Sequence, residues 1–157
     1  MKLASKRIIT ACALAFATTS AIAAPATSEK HANKANELRH AVFTMLGANM
    51  GALGAMAKGK IPFDAEVVEK NAIRINQLSF MIADYTSTDT SAYKVNTTAL
   101  PDMWTKREAF EKRIDDLTLA SEKLVKVSTS GDESAIKAAI GGVGKTCGGC
   151  HDNFREE

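Results

Sequence analysis

The chain has 157 residues, of which 20 are Lys or Arg and 18 are Asp or Glu. Three of the cations, Lys2, Lys6 and Arg7, belong to an N-terminal leader over residues 1–23 that carries no acid, so the remaining 157 − 23 = 134 residues have a charge of about 17 − 18 = −1. A charge so close to zero gives no support for nucleic acid as a partner, and this length suits one domain rather than two.

The leader has the three parts of a secretory signal peptide. Its cations are followed by an apolar run over residues 8–17 and by small residues over 21–24. We expect cleavage after Ala23 or Ala24, which leaves residues 24–157 as a single exported domain. The apolar run is too short to span a bilayer, so no membrane span is expected. Cys12 resembles a lipoprotein attachment site only loosely, because the apolar run continues beyond it.

The first half of the exported chain predicts two helices, because its apolar residues recur with the helical period. Ser28 is a suitable N-cap for the first helix, which extends to about Lys58 and is stopped by Gly59. Asp64 is the N-cap expected for the second helix, which ends near Tyr85. The polar segment over residues 86–98 is the longest predicted loop.

The second half predicts two more helices. Pro101 is expected as the first residue of a third helix, which Gly131 ends, and Asp132 or Glu133 opens the fourth. No stretch alternates polar and apolar residues as a half-buried strand does. The fold class is therefore all-α, and four helices joined by mostly short connections predict an antiparallel four-helix bundle.

The C-terminal helix carries the one motif that names a chemistry, Cys147-Gly148-Gly149-Cys150-His151. This is the C-x-x-C-H signature of a covalently attached c-type haem. The two thiols bond the porphyrin, and the adjoining imidazole coordinates the iron. On a helix, positions i, i+3 and i+4 share one face, so the three side chains can hold one edge of a flat ligand. We expect one haem c per chain, bound near the C-terminal helix.

Other interpretations of the cysteine pair lack supporting residues. A structural zinc site needs four Cys or His ligands, and besides the motif only Cys12, His31 and His40 remain. A thioredoxin-like redox pair follows a strand, which the pattern here does not predict. A disulfide stays open as the ordinary alternative in an exported chain. Both histidines are expected to be solvated.

Several stretches of the chain resemble the class II cytochromes c, and most closely the cytochrome c′ family, over nearly the whole exported length. They are residues 39–43, 49–64, 101–104 and 143–155, together with the C-terminal position of the haem motif. The resemblance implies a periplasmic bacterial haem protein with a four-helix bundle. It also implies a homodimer paired through the first two helices.

The resemblance further implies that the sixth iron position decides the function. In low-spin members a Met of the first helix occupies it, and the residue aligned with that Met is Phe43, which has no lone pair to donate. Five-coordinate iron that binds nitric oxide and carbon monoxide is therefore expected, with one-electron transfer to an unknown redox partner. The alternative is a six-coordinate low-spin electron carrier with a Met ligand. Met45 points about 200° away from Phe43, and Met50 lies about 10 Å further along the helix.

Five further residues are candidates for the haem pocket. Arg39 matches a position that pairs with a haem propionate in relatives, and Arg155 follows His151 by one helical turn, as it does in the family. Met50, Trp104 and Phe154 are apolar enough to line the pocket. For each of these residues, ordinary core packing or solvation is the alternative. Because Phe43 cannot act as a distal acid or base, we do not expect an enzyme.

Glycines cluster in the first and last helices. They are Gly47, Gly51 and Gly54, then Gly141, Gly142, Gly144, Gly148 and Gly149. A glycine inside a helix costs up to about 1 kcal/mol relative to alanine, so a reason for them is needed. Close approach of the backbone to a flat macrocycle is one such reason.

Overall fold

The computed structural model describes residues 23–156. Most of the predicted signal peptide, including Cys12, lies outside the described residues. In chain order, the elements are β1 (Ala24–Pro25), α1 (Glu29–Ala57), α2 (Ala65–Tyr85), β2 (Thr88–Asp89), α3 (Asp102–Thr105), α4 (Arg107–Ser128) and α5 (Glu133–Phe154). The four long helices form the predicted four-helix bundle.

Local signals set the helix ends where the sequence predicts them. Ser28, Asp64 and Asp132 each precede a helix, and each side chain accepts a hydrogen bond from the backbone N–H three residues later. Gly59 and Gly131 follow helices with φ angles of 67° and 75°, in the left-handed region that favours glycine. These predicted starts and stops are confirmed.

The predicted third helix is wrong in one respect, because it breaks at Lys106, whose φ and ψ are −113° and 47°. Pro101 is the N-cap of the short α3 rather than its first helical residue. Contacts across the break hold it in place. Trp104 Nε1 and Arg107 Nη1, one from each side, both donate to the carbonyl oxygen of Thr86, at 3.3 and 3.0 Å. The periodicity of neighbouring residues could not predict this break, because the contacts that hold it join segments distant in sequence.

Two very short strands pair in parallel next to the loop after α2. Ala24 N donates to Ser87 O at 2.9 Å, and Ala26 N donates to Asp89 O at 2.8 Å. Further along, the same loop is bonded to the C-terminal tail, where Glu156 N donates to Thr98 O at 2.8 Å. The loop is therefore hydrogen-bonded to both ends of the described chain. The sequence did not predict the two strands, because segments of two residues are too short to show an alternating pattern.

Side-chain contacts show that neighbouring helices are antiparallel. Between α2 and α4, Asn76 Nδ2 lies 3.1 Å from Ser121 Oγ, and Thr118 Oγ1 lies 2.9 Å from Ser79 Oγ. Between α4 and α5, the Phe110 and Phe154 rings meet edge to face at 5.2 Å. Arg113, one turn after Phe110, approaches Gly149, which precedes Phe154.

The seam between α1 and α5 closes the bundle. A Cβ built on Gly144 of α5 lies 3.6 Å from Cε of Met50 on α1. Since the short connection over residues 58–64 reverses the chain between α1 and α2, three reversals separate α1 from α5, and these two helices are antiparallel. Within residues 23–156, no helix is both long and apolar enough to cross a membrane.

Candidate haem site

A cavity of about 1430 Å³ opens between α1 and α5. Its walls come mainly from α1, α4 and α5, with Ile75 and Ile82 of α2 and Met103 of α3, and residues 96–99 of the loop also line it. Pockets for small organic ligands range from about 300 to 1,000 Å³, so this cavity has room for a large flat group. The structure thus leaves a sizeable space at the seam where the sequence places the haem motif.

The three motif side chains lie together at this cavity. Cys147, Cys150 and His151 all line it, and the two thiols are not bonded to each other. Burial raises the pKa of Cys150 to about 11, although the positive charge of Arg113 opposes that rise. Burial also raises the pKa of Cys147. Both thiols are therefore protonated at neutral pH in the chain without its cofactor.

His151 stands at the mouth of the cavity in its neutral form. Although the side chain is partly open to water, burial on its cavity side is the main reason that its pKa is lowered. Arg155 lowers the pKa further, and Asp152 opposes both effects. A neutral imidazole is the form that coordinates a metal.

The register of α1 against α5 places Phe43 at the level of His151. Met50 faces Gly144, as noted above. Phe43 precedes Met50 by seven residues, and His151 follows Gly144 by seven. In antiparallel helices that rise 1.5 Å per residue, equal steps in opposite sequence directions keep two residues level. Both Phe43 and His151 line the cavity.

The methionines fall on different sides of the bundle. Met50 lines the cavity, together with Met103, which the sequence analysis did not consider. Met45 is 44% exposed and is not among the lining residues, as its position on the helix predicts. Met50 is the thioether of α1 that shares the cavity with His151, and it lies about 10 Å from the level of Phe43 along the axis.

Arg39 is a buried cation with one nitrogen left unsatisfied. It is 3% exposed, and its Nη2 donates to Asn36 Oδ1 at 2.7 Å and to Thr97 Oγ1 at 3.3 Å. Its Nη1 is buried without a hydrogen-bond partner. Burial lowers the pKa of Arg39, and within the described residues no carboxylate pairs with it. Arg39 lines the cavity, and a guanidinium without a carboxylate partner at that position suits a ligand carboxylate.

The other predicted pocket residues divide into two groups. Phe154 and Arg155 line the cavity, and Arg155 is exposed at its mouth. Trp104 does not line the cavity, which corrects the sequence prediction. Its ring centroid lies 5.2 Å from the guanidinium carbon of Arg39, and its Nε1 donates to the Thr86 carbonyl oxygen. Trp104 therefore supports Arg39.

The glycines of α1 face open space rather than neighbouring atoms of the chain. A Cβ built on Gly47, Gly51 or Gly54 meets nothing within 4 Å, and all three residues line the cavity. Packing of the polypeptide alone does not require glycine at these positions, where alanine would favour the helix by about 0.5–1 kcal/mol each. Together with the thiols, the neutral imidazole and the unpaired Arg39, this space fits a haem with its carboxylates.

Sequence reasoning missed several residues of the site. Asn36 and Thr97 hold Arg39, and Arg113 reaches within 3.7 Å of a Cβ built on Gly149. The contacts of Thr97 and Arg113 connect residues far apart in the chain, so no local pattern marks them, whereas Asn36 is one helical turn before Arg39 and that spacing could have indicated the contact. His40 is exposed and lies on the cavity rim, whereas His31 Nδ1 accepts a hydrogen bond from Thr27 N at 3.2 Å.

A metal-ion cluster does not account for the site. Across the part of the chain that the structure describes, no three His, Cys, Asp or Glu side chains converge on a common point. The His and Cys side chains of the motif are thus arranged along one helix face, beside a large cavity, instead of around an ion.

Comparison with known proteins agrees with this geometry. A family model described as cytochrome C′ matches residues 34–155. Cytochrome c′ of Rubrivivax gelatinosus is 36% identical over 121 residues, which are 77% of this chain and 93% of that protein. Its crystal structure matches with a TM-score of 0.73 at 35% identity, covering 80% of this chain and 97% of the other.

Two further relatives show the range of the resemblance. Cytochrome c-554 of Cereibacter sphaeroides is 31% identical over 155 residues, covering 96% of this chain and 99% of that protein. A mutant cytochrome c prime from Alcaligenes xylosoxidans, solved as its nitric oxide complex, matches with a TM-score of 0.71 at 25% identity, covering 80% of this chain and 96% of the other. The chain therefore belongs to the cytochrome c′ family and is a c-type haem cytochrome.

Proposed function

We propose that this protein holds one covalently attached haem with five-coordinate iron and binds nitric oxide and carbon monoxide at an apolar distal pocket. The single observation that carries the proposal is that Phe43 and His151 line the same cavity. The contact between Met50 and Gly144 supports the inference that the two residues lie at one level. Cys147 and Cys150 would hold the porphyrin by thioether bonds, and His151 would be the iron ligand. The bound haem would supply an open coordination position and a one-electron redox centre.

Phe43 determines which ligands are favoured. A benzyl side chain has neither a lone pair for iron nor a hydrogen-bond donor for a bound ligand. Bound dioxygen gains stability from such a donor, whereas carbon monoxide and nitric oxide depend on one much less. The nitric oxide complex of the Alcaligenes xylosoxidans relative supports this choice of ligand. The same apolar side chain cannot move a proton, so we do not propose an enzyme.

Arg39 is positioned to anchor a haem carboxylate. Its unpaired Nη1 is buried, and its other contacts fix the guanidinium between Asn36, Thr97 and Trp104. A charge-assisted hydrogen bond at such a shielded position contributes about 1.5–3 kcal/mol. Arg155, at the mouth beside His151, stays in reach of the proximal side of the ligand.

The second candidate function is a six-coordinate electron carrier in which a methionine is the sixth iron ligand. Met50 lines the cavity, which favours this alternative, and one relative carries the name cytochrome c-554. The axial offset of about 10 Å between Met50 and Phe43 argues against it, because α1 would have to shift by two turns.

The visible spectrum of the purified haem protein separates the two candidates. High-spin bands and a spectral change when carbon monoxide meets the ferrous form are expected for an open position. A low-spin spectrum that carbon monoxide does not alter would instead establish a sixth protein ligand. Protein mass before and after exposure of the thiols to an alkylating reagent reports whether the porphyrin is covalently attached.

We also propose a periplasmic protein, cleaved after Ala23. That cleavage leaves the nitrogen of Ala24, which already lies 2.9 Å from Ser87 O, as the new amino terminus. Cleavage one residue later would remove this contact. The mass of the exported chain distinguishes the two sites.

The outer face of α1 suits the homodimer that the family resemblance implies. Leu38 and Met45, 38% and 44% exposed, lie seven residues apart and thus on one stripe of the helix. We propose pairing of two copies through this stripe and α2. A Met45→Glu variant should sediment as a monomer, while Leu119→Glu, a change at another exposed leucine on α4, should leave the dimer intact.

A further inference from the structure

A short segment of the loop before α3 is bonded both to α1 and to the C-terminal tail. We call this segment, residues 96–100, the strap. On the side of α1, Asn36 Nδ2 donates to the carbonyl oxygen of Asn96 at 2.9 Å. Arg39 Nη2 donates to Thr97 Oγ1 at 3.3 Å. The strap is therefore fastened to the turn of α1 that carries the proposed anchor of a haem carboxylate.

The other side of the strap is bonded to the end of α5. Glu156 N donates to the carbonyl oxygen of Thr98 at 2.8 Å, next to a backbone bridge between Ala99 and Arg155. Arg155 N in turn donates to the carbonyl oxygen of His151 at 3.1 Å, in the last turn of α5. The same strap is thus connected to the turn that carries the expected iron ligand.

The hydroxyl oxygen of Thr97 is shared between the strap and Arg39. It accepts a hydrogen bond from Ala99 N at 3.1 Å within the strap and another from Arg39 Nη2. The two lone pairs of a hydroxyl allow both bonds. Asn36, the other hydrogen-bond partner of the guanidinium, belongs to α1 and moves with that helix. Among the described residues, Thr97 is therefore the hydrogen-bond partner that fixes the guanidinium relative to the strap and the tail.

Fastening of the loop alone does not account for the contact of Thr97. The strap keeps its bond from Asn36 and its backbone bonds to the tail without the Thr97 side chain. The hydroxyl lies instead against Arg39, a guanidinium that is 3% exposed and whose Nη1 has no partner. Such a contact favours a role in placing the guanidinium for a ligand.

We propose that Thr97 is a positioning residue through which the C-terminal tail sets the contact of Arg39 with a haem carboxylate. This inference rests on the carboxylate contact in the proposed function, and not on the coordination number of the iron. A cation close to the carboxylate offsets its negative charge and so favours the ferrous over the ferric haem. A change that moves Thr97 away from Arg39 weakens this pairing and lowers the equilibrium constant for reduction of the ferric haem.

The first test is potentiometry of the haem-loaded protein with two changes at Thr97. Thr97→Val keeps the shape of the side chain and removes the hydroxyl, whereas Thr97→Ser keeps the hydroxyl. We expect Thr97→Val to lower the reduction equilibrium constant about threefold, which is about 28 mV at 59 mV per tenfold change, and Thr97→Ser to keep the original value.

Thr118→Val is the matched control. Thr118 Oγ1 lies 2.9 Å from Ser79 Oγ between α2 and α4, and Thr118 is outside the cavity lining. This change should lower the melting temperature without a shift in the potential. Thr97→Val without a shift, or a shift of equal size in Thr97→Ser, would overturn the role of the hydroxyl.

The second test removes the tail contact at matched charge. Glu156→Pro deletes the N–H that donates to Thr98, whereas Glu156→Gln deletes the same charge and keeps that N–H. Arg155 has φ and ψ of −134° and 140°, the extended conformation that a residue before proline adopts. Relative to Glu156→Gln, we expect Glu156→Pro to lower the reduction equilibrium constant, as Thr97→Val does. Both changes together should shift the potential by less than the sum of the two shifts.

Two further outcomes would overturn the inference. Equal potentials for Glu156→Pro and Glu156→Gln would show that the tail does not act on Arg39. A Thr97→Val shift that persists at full size in an Arg39→Met background would show that the hydroxyl acts through another group. A low-spin visible spectrum would instead refute five-coordinate iron in the proposed function, while the potential shifts would still report on Arg39.

Discussion

Two seams of the same bundle are built in opposite ways. Between α2 and α4, the buried polar groups bond to one another, and Ser79 and Ser121 are fully buried with partners in hydrogen-bond range. Between α1 and α5, glycines face empty space and Arg39 keeps a buried nitrogen without a partner. A seam that satisfies its own polar groups needs nothing added, whereas the other is complete only when a ligand fills it.

Two arginines, the buried Arg39 and the partly buried Arg107, repeat this contrast at the level of single residues. Arg107 donates to Glu111 at 2.8 Å and to the Thr86 carbonyl oxygen at 3.0 Å, and it lies over the Phe110 ring. All of its partners belong to the polypeptide. Arg39 has Asn36, Thr97 and Trp104 as partners, and its Nη1 is left without one. The difference agrees with the haem site proposed at the α1/α5 seam.

The largest expected effect comes from removal of both thiols. Changing Cys147 and Cys150 to Ala should abolish covalent attachment, because no other thiol remains in residues 24–157. Mass spectrometry of the exported protein should then show no added porphyrin. Ser134→Ala, at an exposed position on α5, should retain it. Persistence of covalent porphyrin in the double variant would mean that the attachment site is wrong.

Phe43→Met should have the second-largest effect, a change in the coordination and spin state of the haem iron. A thioether placed at the level of His151 is expected to occupy the sixth position, which converts high-spin bands to low-spin bands and suppresses carbon monoxide binding. The control is Met45→Leu, on the exposed side of α1, which should leave the spectrum unchanged. If Phe43→Met stays high-spin with unaltered carbon monoxide kinetics, Phe43 does not face the iron.

The two arginines should respond differently to replacement by Met in the haem-loaded protein. Arg107→Met removes the hydrogen bond to the Thr86 carbonyl oxygen, which keeps only Trp104 as a donor, and the ion pair with Glu111. The variant should lower the free energy of unfolding by about 1–3 kcal/mol with no change in the haem spectrum. Arg39→Met should destabilise by a similar amount and also shift the midpoint potential, because a haem carboxylate loses its cation. Thermal melts and potentiometry measure both properties. An unshifted potential in Arg39→Met would show that Arg39 has no carboxylate partner.

Glycine substitutions should give the smallest effects. Gly131→Ala places a side chain at φ 75° and should lower the free energy of unfolding by about 1 kcal/mol without a change in the haem spectrum. Gly47→Ala should instead alter carbon monoxide association, because the new methyl group projects into the space assigned to the haem and its ligand. If Gly47→Ala merely gains about 0.5–1 kcal/mol of stability, as alanine does in an ordinary helix, that space is not used.

Much of the fold could be predicted because helix ends depend on neighbours in sequence. Ser28, Asp64 and Asp132 bond to an N–H only three residues away, and Gly59 and Gly131 adopt their own left-handed conformation. The break at Lys106 could not be predicted, since contacts to Thr86 hold it. Trp104 was assigned to the cavity for its apolar ring, but the fold uses that ring to support Arg39.

By itself, the sequence determined the helical period, the helix ends and the cofactor class, because each depends on residues within about one turn of one another. The sequence also determined the haem motif, since Cys147, Cys150 and His151 share one helix face independently of the rest of the fold. Only the tertiary structure decided that Phe43 is level with His151, that Arg39 keeps an unpaired nitrogen and that the charged residues lining the cavity are all cations. These properties depend on the register and spacing of helices distant in sequence, which the packing of the whole bundle sets.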